Sequence, residues 1–141
     1  MQITAHVSSS GNGHAVTVST SGHAQALQVA PKPGGRGSAV NGGEFLMLAL
    51  ATCYGNDLYR EAARLGIPVD GVEVEATADF EGIGLAATNI RYRARVASTA
   101  GEAAIAQLLR ETDAVAEVHN TLRRGVPVDR LEWQVEGRCP P

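Results

Sequence analysis

Residues Asn41 to Leu65 leave this chain little freedom in how it can fold, because they combine a helix start, an apolar run and a helix stop. Asn41-Gly-Gly-Glu44 sets an N-cap residue three positions ahead of an acid, the capping-box spacing in which each side chain bonds the other's backbone N–H. Gly66 ends the helix by accepting a left-handed cap, and Pro68 by lacking an N–H. Phe45 to Tyr54 is apolar around the whole circumference, so the helix is expected to be a central element enclosed by protein. The run from Phe45 to Gly55 is about half the ~20 residues that a membrane-spanning helix needs, and Asn56 and Asp57 close it.

The flanking segments follow a two-residue period. Residues 1–30 alternate, as in Ala15-Val-Thr-Val18 and Ala24-Gln-Ala-Leu-Gln-Val29, with breaks at Gly11-Asn-Gly13 and Ser21-Gly22. This predicts an antiparallel meander of two or three strands. Pro31 to Ser38 is a Pro/Gly loop, longer than most connections. After the helix, Val69–Phe80 and Thr88–Ala97 alternate again and predict two longer antiparallel strands. Thr99-Ala-Gly-Glu102 has the capping-box spacing, and apolar positions from Ile105 to Leu122 recur at three and four. They predict an amphipathic helix with a break near Thr112 and an end at Gly125. Val126–Val135 reads as a last strand. With no internal repeat and no linker, residues 1–141 are expected to form one α+β domain with helices packed on antiparallel sheet.

Composition narrows the class. The 141 residues suffice to bury about two-thirds of the unfolded surface. Hydrophobic residues make up 44% but aromatics only 4%, so the core must be built of small aliphatic side chains, which an oligomeric interface would help to cover. A net charge of −3 with 19% charged residues fits neither a disordered chain nor a nucleic-acid binder. The two cysteines, Cys53 and Cys139, are too few for a disulfide scaffold and form no C-x-x-C pair. The N-terminus has no basic segment followed by an apolar run, and a cytoplasmic protein without membrane partners is expected.

Charge is unevenly placed. Residues 1–43 contain no Asp or Glu, only Lys32 and Arg36 with three histidines, while the rest of the chain balances to −5. Arg36 can therefore meet an anion or polarise an oxygen, or be a solvated loop arginine. Cys53 lies about three turns into the central helix, too far for the helix dipole to activate it, and Asp57 one turn on opposes a thiolate. Arg60 shares that face, where an i,i+3 ion pair with Asp57 is the simpler expectation. The thiol is then either an inert buried group or a nucleophile that takes a cation from elsewhere, Arg36 being the nearest candidate. His119 falls on the apolar stripe and reads as a core or interface histidine or, with Asn120, as polar lining of a substrate pocket. His6, His14 and His23 match no metal-binding spacing and read as surface residues. The Gly-rich loop lacks nucleotide-binding spacing.

Gly34-Gly-Arg-Gly-Ser-Ala-Val-Asn-Gly-Gly-Glu-Phe-Leu-Met-Leu-Ala-Leu-Ala-Thr-Cys53, then Glu61-Ala-Ala-Arg-Leu-Gly-Ile-Pro-Val-Asp-Gly-Val-Glu-Val-Glu75 and Thr121-Leu-Arg-Arg-Gly-Val-Pro-Val128, resemble the OsmC/Ohr family of osmotically inducible and organic hydroperoxide resistance proteins. The resemblance implies an intertwined homodimer whose sheets wrap central helices, with active sites at the subunit interface. It implies a peroxidatic cysteine at Cys53, a loop arginine at Arg36, and a glutamate whose nearest counterpart is Glu44. The family's second, resolving cysteine falls at Ala116 or Glu117, depending on the anchor used, and neither is cysteine. Glu44 stands nine residues before Cys53 where peroxidatic members place the glutamate at ten, which in an ideal helix turns it about 180° away.

The function expected on this basis is a thiol-dependent peroxidase acting on organic hydroperoxides, with no cofactor beyond an external thiol reductant. Resolution could come from that external thiol or from Cys139. The alternative is a dimer without peroxidase turnover that binds a small apolar or electrophilic molecule at the interface pocket.

Overall fold

The computed structural model describes residues 1–132 except Asn12. Strands β1 (Ile3–Ser10), β2 (Gly13–Thr20) and β3 (His23–Leu27) form an antiparallel meander in the order of the sequence. Thr20 pairs with His23 across Ser21-Gly22, whose φ values of 49° and 84° give the mirror-image two-residue turn that suits strand twist. Registers Ile3↔Thr20, Ala5↔Val18, Val7↔Val16 and Val16↔Leu27 put these apolar side chains on one face. Only Val16 among them is buried; Ile3 and Val7 are 66% and 59% exposed. Among the described residues this sheet packs on neither the helices nor the second sheet to any substantial extent.

Helix α1 (Gly42–Leu65) starts and stops as expected. Asn41 Oδ1 accepts from the Glu44 N–H at 2.9 Å, Glu44 Oε2 accepts from the Asn41 N–H at 2.7 Å, and Gly66 caps the far end at φ 67°. Strands β4 (Gly71–Asp79) and β5 (Thr88–Ala97) pair antiparallel, with an irregularity between Thr77 and Asp79. Val72, Val74, Tyr92, Ala94 and Val96 face a core of Tyr54, Leu58, Ala62, Leu108 and Ala116. The outer face carries the cross-strand ion pairs Arg93–Glu75 and Arg95–Glu73. This is an α+β arrangement of antiparallel sheets and helices, and among the described residues no helix is long and apolar enough to cross a membrane.

The first half of α1 is covered on one side only by its own chain: Leu48 is 55% exposed, because the β4–β5 sheet and the later helices pack against the other side of the helix. Four expectations need correction. Thr99 does not cap the next helix; α2 (Glu102–Val115) is capped by Gly101, whose carbonyl accepts from Ala104 and Ile105. The break falls at Ala116, not Thr112: Thr112 stays within α2, its hydroxyl bonding the Leu108 carbonyl, whereas Ala116 is extended before α3 (Glu117–Arg124). Val126–Glu132 forms no strand, having no neighbouring ladder to join, and residues 133–135 of the expected strand lie outside the described residues. His14 is also no plain surface residue, since both of its ring nitrogens are buried without hydrogen-bond partners.

Candidate active site around Cys53

Helical spacing puts Cys53, Asp57 and Arg60 on successive turns of one face of α1. The corner at Ala116 then turns the start of α3 back onto that face. The Cys53 thiol donates to Asp57 Oδ2 at 3.5 Å, and Glu117 Oε2 lies 3.9 Å from the sulfur. Arg60 binds Asp57 Oδ1 at 2.8 Å, as the i,i+3 spacing suggests, and reaches Glu61 at 3.3 Å and Glu117 at 3.7 Å. The backbone N–H of Val118, in the first turn of α3 and without a partner within the helix, lies close enough to the Cys53 sulfur to pull its pKa down.

These contacts oppose one another. Burial pushes the Cys53 thiol up, the Val118 N–H pulls it down, and the charges of Asp57 and Glu117 push it up again; the net direction is up. Burial also raises the Asp57 carboxyl, against the pull of Arg60. A carboxylate raised from the usual range is a better acceptor for the proton of the thiol that already bonds it. The ligand atoms of Cys53, Asp57 and Glu117 lie within 4.8 Å of one another, the one such group among the described residues, and Arg60 supplies positive charge to both carboxylates.

The other expected site residues are dispersed. Arg36 lines a cleft of about 550 Å³ with Ser9, Lys32 and the loop glycines, to which Cys53 does not contribute. Glu44 is held in the capping box. His119 is 3% exposed and neither ring nitrogen has a hydrogen-bond partner, at a cost of about 1–3 kcal/mol for such a buried group. Its ring stands edge-on to Tyr92, with centroids 4.5 Å apart, and tilted against Tyr54 at 5.5 Å. Burial pushes its pKa down, Arg123 adds to that, and Asp113 partly offsets it. His119 lines a cavity of about 220 Å³ with Leu50, Ile90, Tyr92, Leu122 and Arg123. Asn120 instead braces the helix corner, donating to the Ala114 carbonyl at 3.1 Å and accepting from Arg123 at 3.4 Å. Cys139 lies outside the described residues.

Spacing on α1 makes Asp57 and Arg60 readable as neighbours of Cys53. The approach of Val118 is not readable, because Ala116 has no side-chain oxygen to announce a helix start.

A family model described as OsmC-like protein matches residues 35–130. No curated protein sequence matches the chain. Among solved structures, an OsmC-like protein from Mycoplasma pneumoniae aligns at 17% identity and TM-score 0.60, covering 85% of this chain and 87% of that one. An organic hydroperoxide resistance protein OsmC from Legionella pneumophila aligns at 16% identity and TM-score 0.55, covering 86% and 88%. An OsmC-like protein of unknown function from Vibrio cholerae aligns at 13% identity and TM-score 0.51, covering 84% and 92%. At these identities the likeness is one of fold.

Proposed function

The chain belongs to the OsmC-like protein family, and on that premise we propose that it is a thiol-dependent peroxidase that reduces organic hydroperoxides through Cys53. The observation that carries the reading is the Cys53 thiol donating to Asp57 beneath the start of α3, which the corner at Ala116 brings over the sulfur. The thiol proton passes to Asp57 and the sulfur attacks one peroxide oxygen. The O–O bond breaks, the alkoxide leaves as the alcohol after taking up the proton, and Cys53 becomes a sulfenic acid. Glu117 faces Cys53 at one of the two positions assigned to the resolving cysteine, so an external thiol condenses with the sulfenic acid, releasing water. A second thiol equivalent then displaces the mixed disulfide and restores Cys53.

The missing cation is assigned to Arg36 of a second protomer. Two observations support an intertwined homodimer: the N-terminal sheet leaves Ile3 and Val7 exposed, and the first half of α1 leaves Leu48 exposed on its own chain. Consumption of cumene hydroperoxide with dithiothreitol or dihydrolipoamide tests the reading. Turnover by the wild type and Cys139→Ser, with loss in Cys53→Ser, is expected; equal, negligible rates in all three would sink it.

A further inference from the structure

We infer that Glu117 is the substrate-orienting residue of the proposed reaction: its Oε2 accepts a hydrogen bond from the terminal O–H of the hydroperoxide and sets that oxygen against the Cys53 sulfur. The inference rests on the peroxidase reading of Cys53.

The thiol has a single hydrogen to give, and Asp57 Oδ2 takes it at 3.5 Å; Glu117 Oε2, 3.9 Å from the sulfur, is the more distant acceptor. Arg60 holds the other oxygen of each carboxylate, 2.8 Å from Asp57 Oδ1 and 3.7 Å from Glu117 Oε1. Oδ2 and Oε2 are therefore the two oxygens turned toward the sulfur. They differ in access. The Asp57 side chain is 6% exposed, whereas that of Glu117 is 69% exposed and meets a molecule arriving from solution. Glu117 thus presents, beside the nucleophile, a charged acceptor whose protein partner on that side has already given its hydrogen to Asp57.

The distances fit a peroxide held between the two groups. A reacting oxygen about 3–3.5 Å from the sulfur and an O–H···O⁻ contact of about 2.5–2.7 Å complete a triangle with the 3.9 Å between sulfur and Oε2, and its angle at the peroxide oxygen is close to a right angle. In a hydroperoxide the O–H bond stands roughly at right angles to the O–O bond. An oxygen attacked in line with the O–O bond therefore points its hydrogen at Oε2. Glu117 holds that hydrogen without removing it. The S–O bond forms as the O–O bond breaks, the electron pair of the O–O bond leaves with the alkoxide, and the alkoxide takes the thiol proton from Asp57. The attacked oxygen keeps its own hydrogen and ends on Cys53 as the sulfenic acid, the sulfur oxidised and the peroxide reduced.

Two reagents applied to Cys139→Ser, whose one cysteine is Cys53, separate this role from a general effect on the thiol. Cumene hydroperoxide carries the O–H, and methyl methanethiosulfonate is an uncharged thiol reagent with no hydrogen-bond donor. On adding Glu117→Ala, sulfenic acid formation at Cys53, trapped with dimedone and followed by mass spectrometry, should slow about tenfold or more, the loss expected for one hydrogen bond to a charged acceptor. The reaction with methyl methanethiosulfonate at pH 7 should quicken, because a charge that opposes the thiolate is gone. Glu117→Gln keeps the size of the side chain without its charge; it should split the two rates in the same directions, and it decides the matter should Glu117→Ala not fold. An undiminished hydroperoxide rate, or the same factor of change for both reagents, would overturn the inference and leave the peroxidase reading standing. Failure of the protein with Glu117 intact to form any sulfenic acid would overturn both.

Discussion

Glu117 is the residue whose replacement most directly tests the electrostatics at Cys53. Its side chain is 69% exposed, so Glu117→Gln should change stability by no more than about 0.5 kcal/mol. Removing its charge takes away one of the influences that raise the thiol, so the midpoint for alkylation by iodoacetamide against pH should fall, and the rate at pH 7 should rise. An unchanged or higher midpoint would show that Glu117 does not act on the sulfur. His119 yields a second prediction. Its pKa is depressed on folding, so the unfolded chain binds more protons than the folded one once the pH drops below the ordinary value near 6.5. The stability that the neutral ring contributes is therefore complete above about pH 6.5 and drains away as the pH falls toward the depressed folded value. Asp113 and Glu61, both held below their ordinary values by arginines, lose their contributions only at lower pH. Urea unfolding should show a less stable protein at pH 5.5 than at 7.5, and a smaller difference in His119→Phe.

The elements were legible where local chemistry alone decides them. Helix α1 announces itself through a side-chain cap that forms as its spacing requires, and Asn41→Ala should cost about 1 kcal/mol in thermal or urea unfolding. Gly55, in the middle of the same helix, lies where an added Cβ would meet Val74 Cγ2 at 3.7 Å, an ordinary contact. Gly55→Ala should therefore stabilise by about 0.5–1 kcal/mol through helix propensity, and a lower melting temperature would mean that the position serves a packing need elsewhere. The strands were equally readable from Val72, Val74 and Val96, whose alternation matches the face turned to the core. Illegible were the features set by distant neighbours. The corner at Ala116 depends on α3 folding back over α1, and the Thr99 signal matches a cap in spacing but is displaced by Gly101. The expectation for Val126 onward failed because alternation marks a willingness to pair, whereas a strand needs a partner edge.

The whole molecule carries the question that no single element answers, namely what covers the N-terminal sheet and the exposed side of α1. In the proposed homodimer a second copy covers both surfaces, which exposed Ile3, Val7 and Leu48 would otherwise leave to solvent. The same exchange would bring the positive first third of one protomer, with Arg36, to the thiol of the other, where the chain's own α1 and α3 supply carboxylates and one paired arginine. That geometry has a consequence which separates it from a monomeric or a side-by-side arrangement. Cys53→Ser and Arg36→Ala should each be inactive as pure proteins. If each site takes its cysteine from one chain and its arginine from the other, mixing equal amounts under mild denaturation and refolding should give hybrids with one intact site in half of the dimers, hence about a quarter of wild-type activity. If both residues serve the same chain's site, no hybrid is intact and the mixture stays inactive. The assembly should also run at twice the 14.7 kDa chain mass in light scattering, and Val7→Glu, placed on the exposed apolar face, should shift it toward the monomer while leaving helix content by circular dichroism in place. Activity that persists in a monomeric Val7→Glu variant would refute the shared site, since among the described residues of one protomer Arg36 lines a cleft to which Cys53 does not contribute.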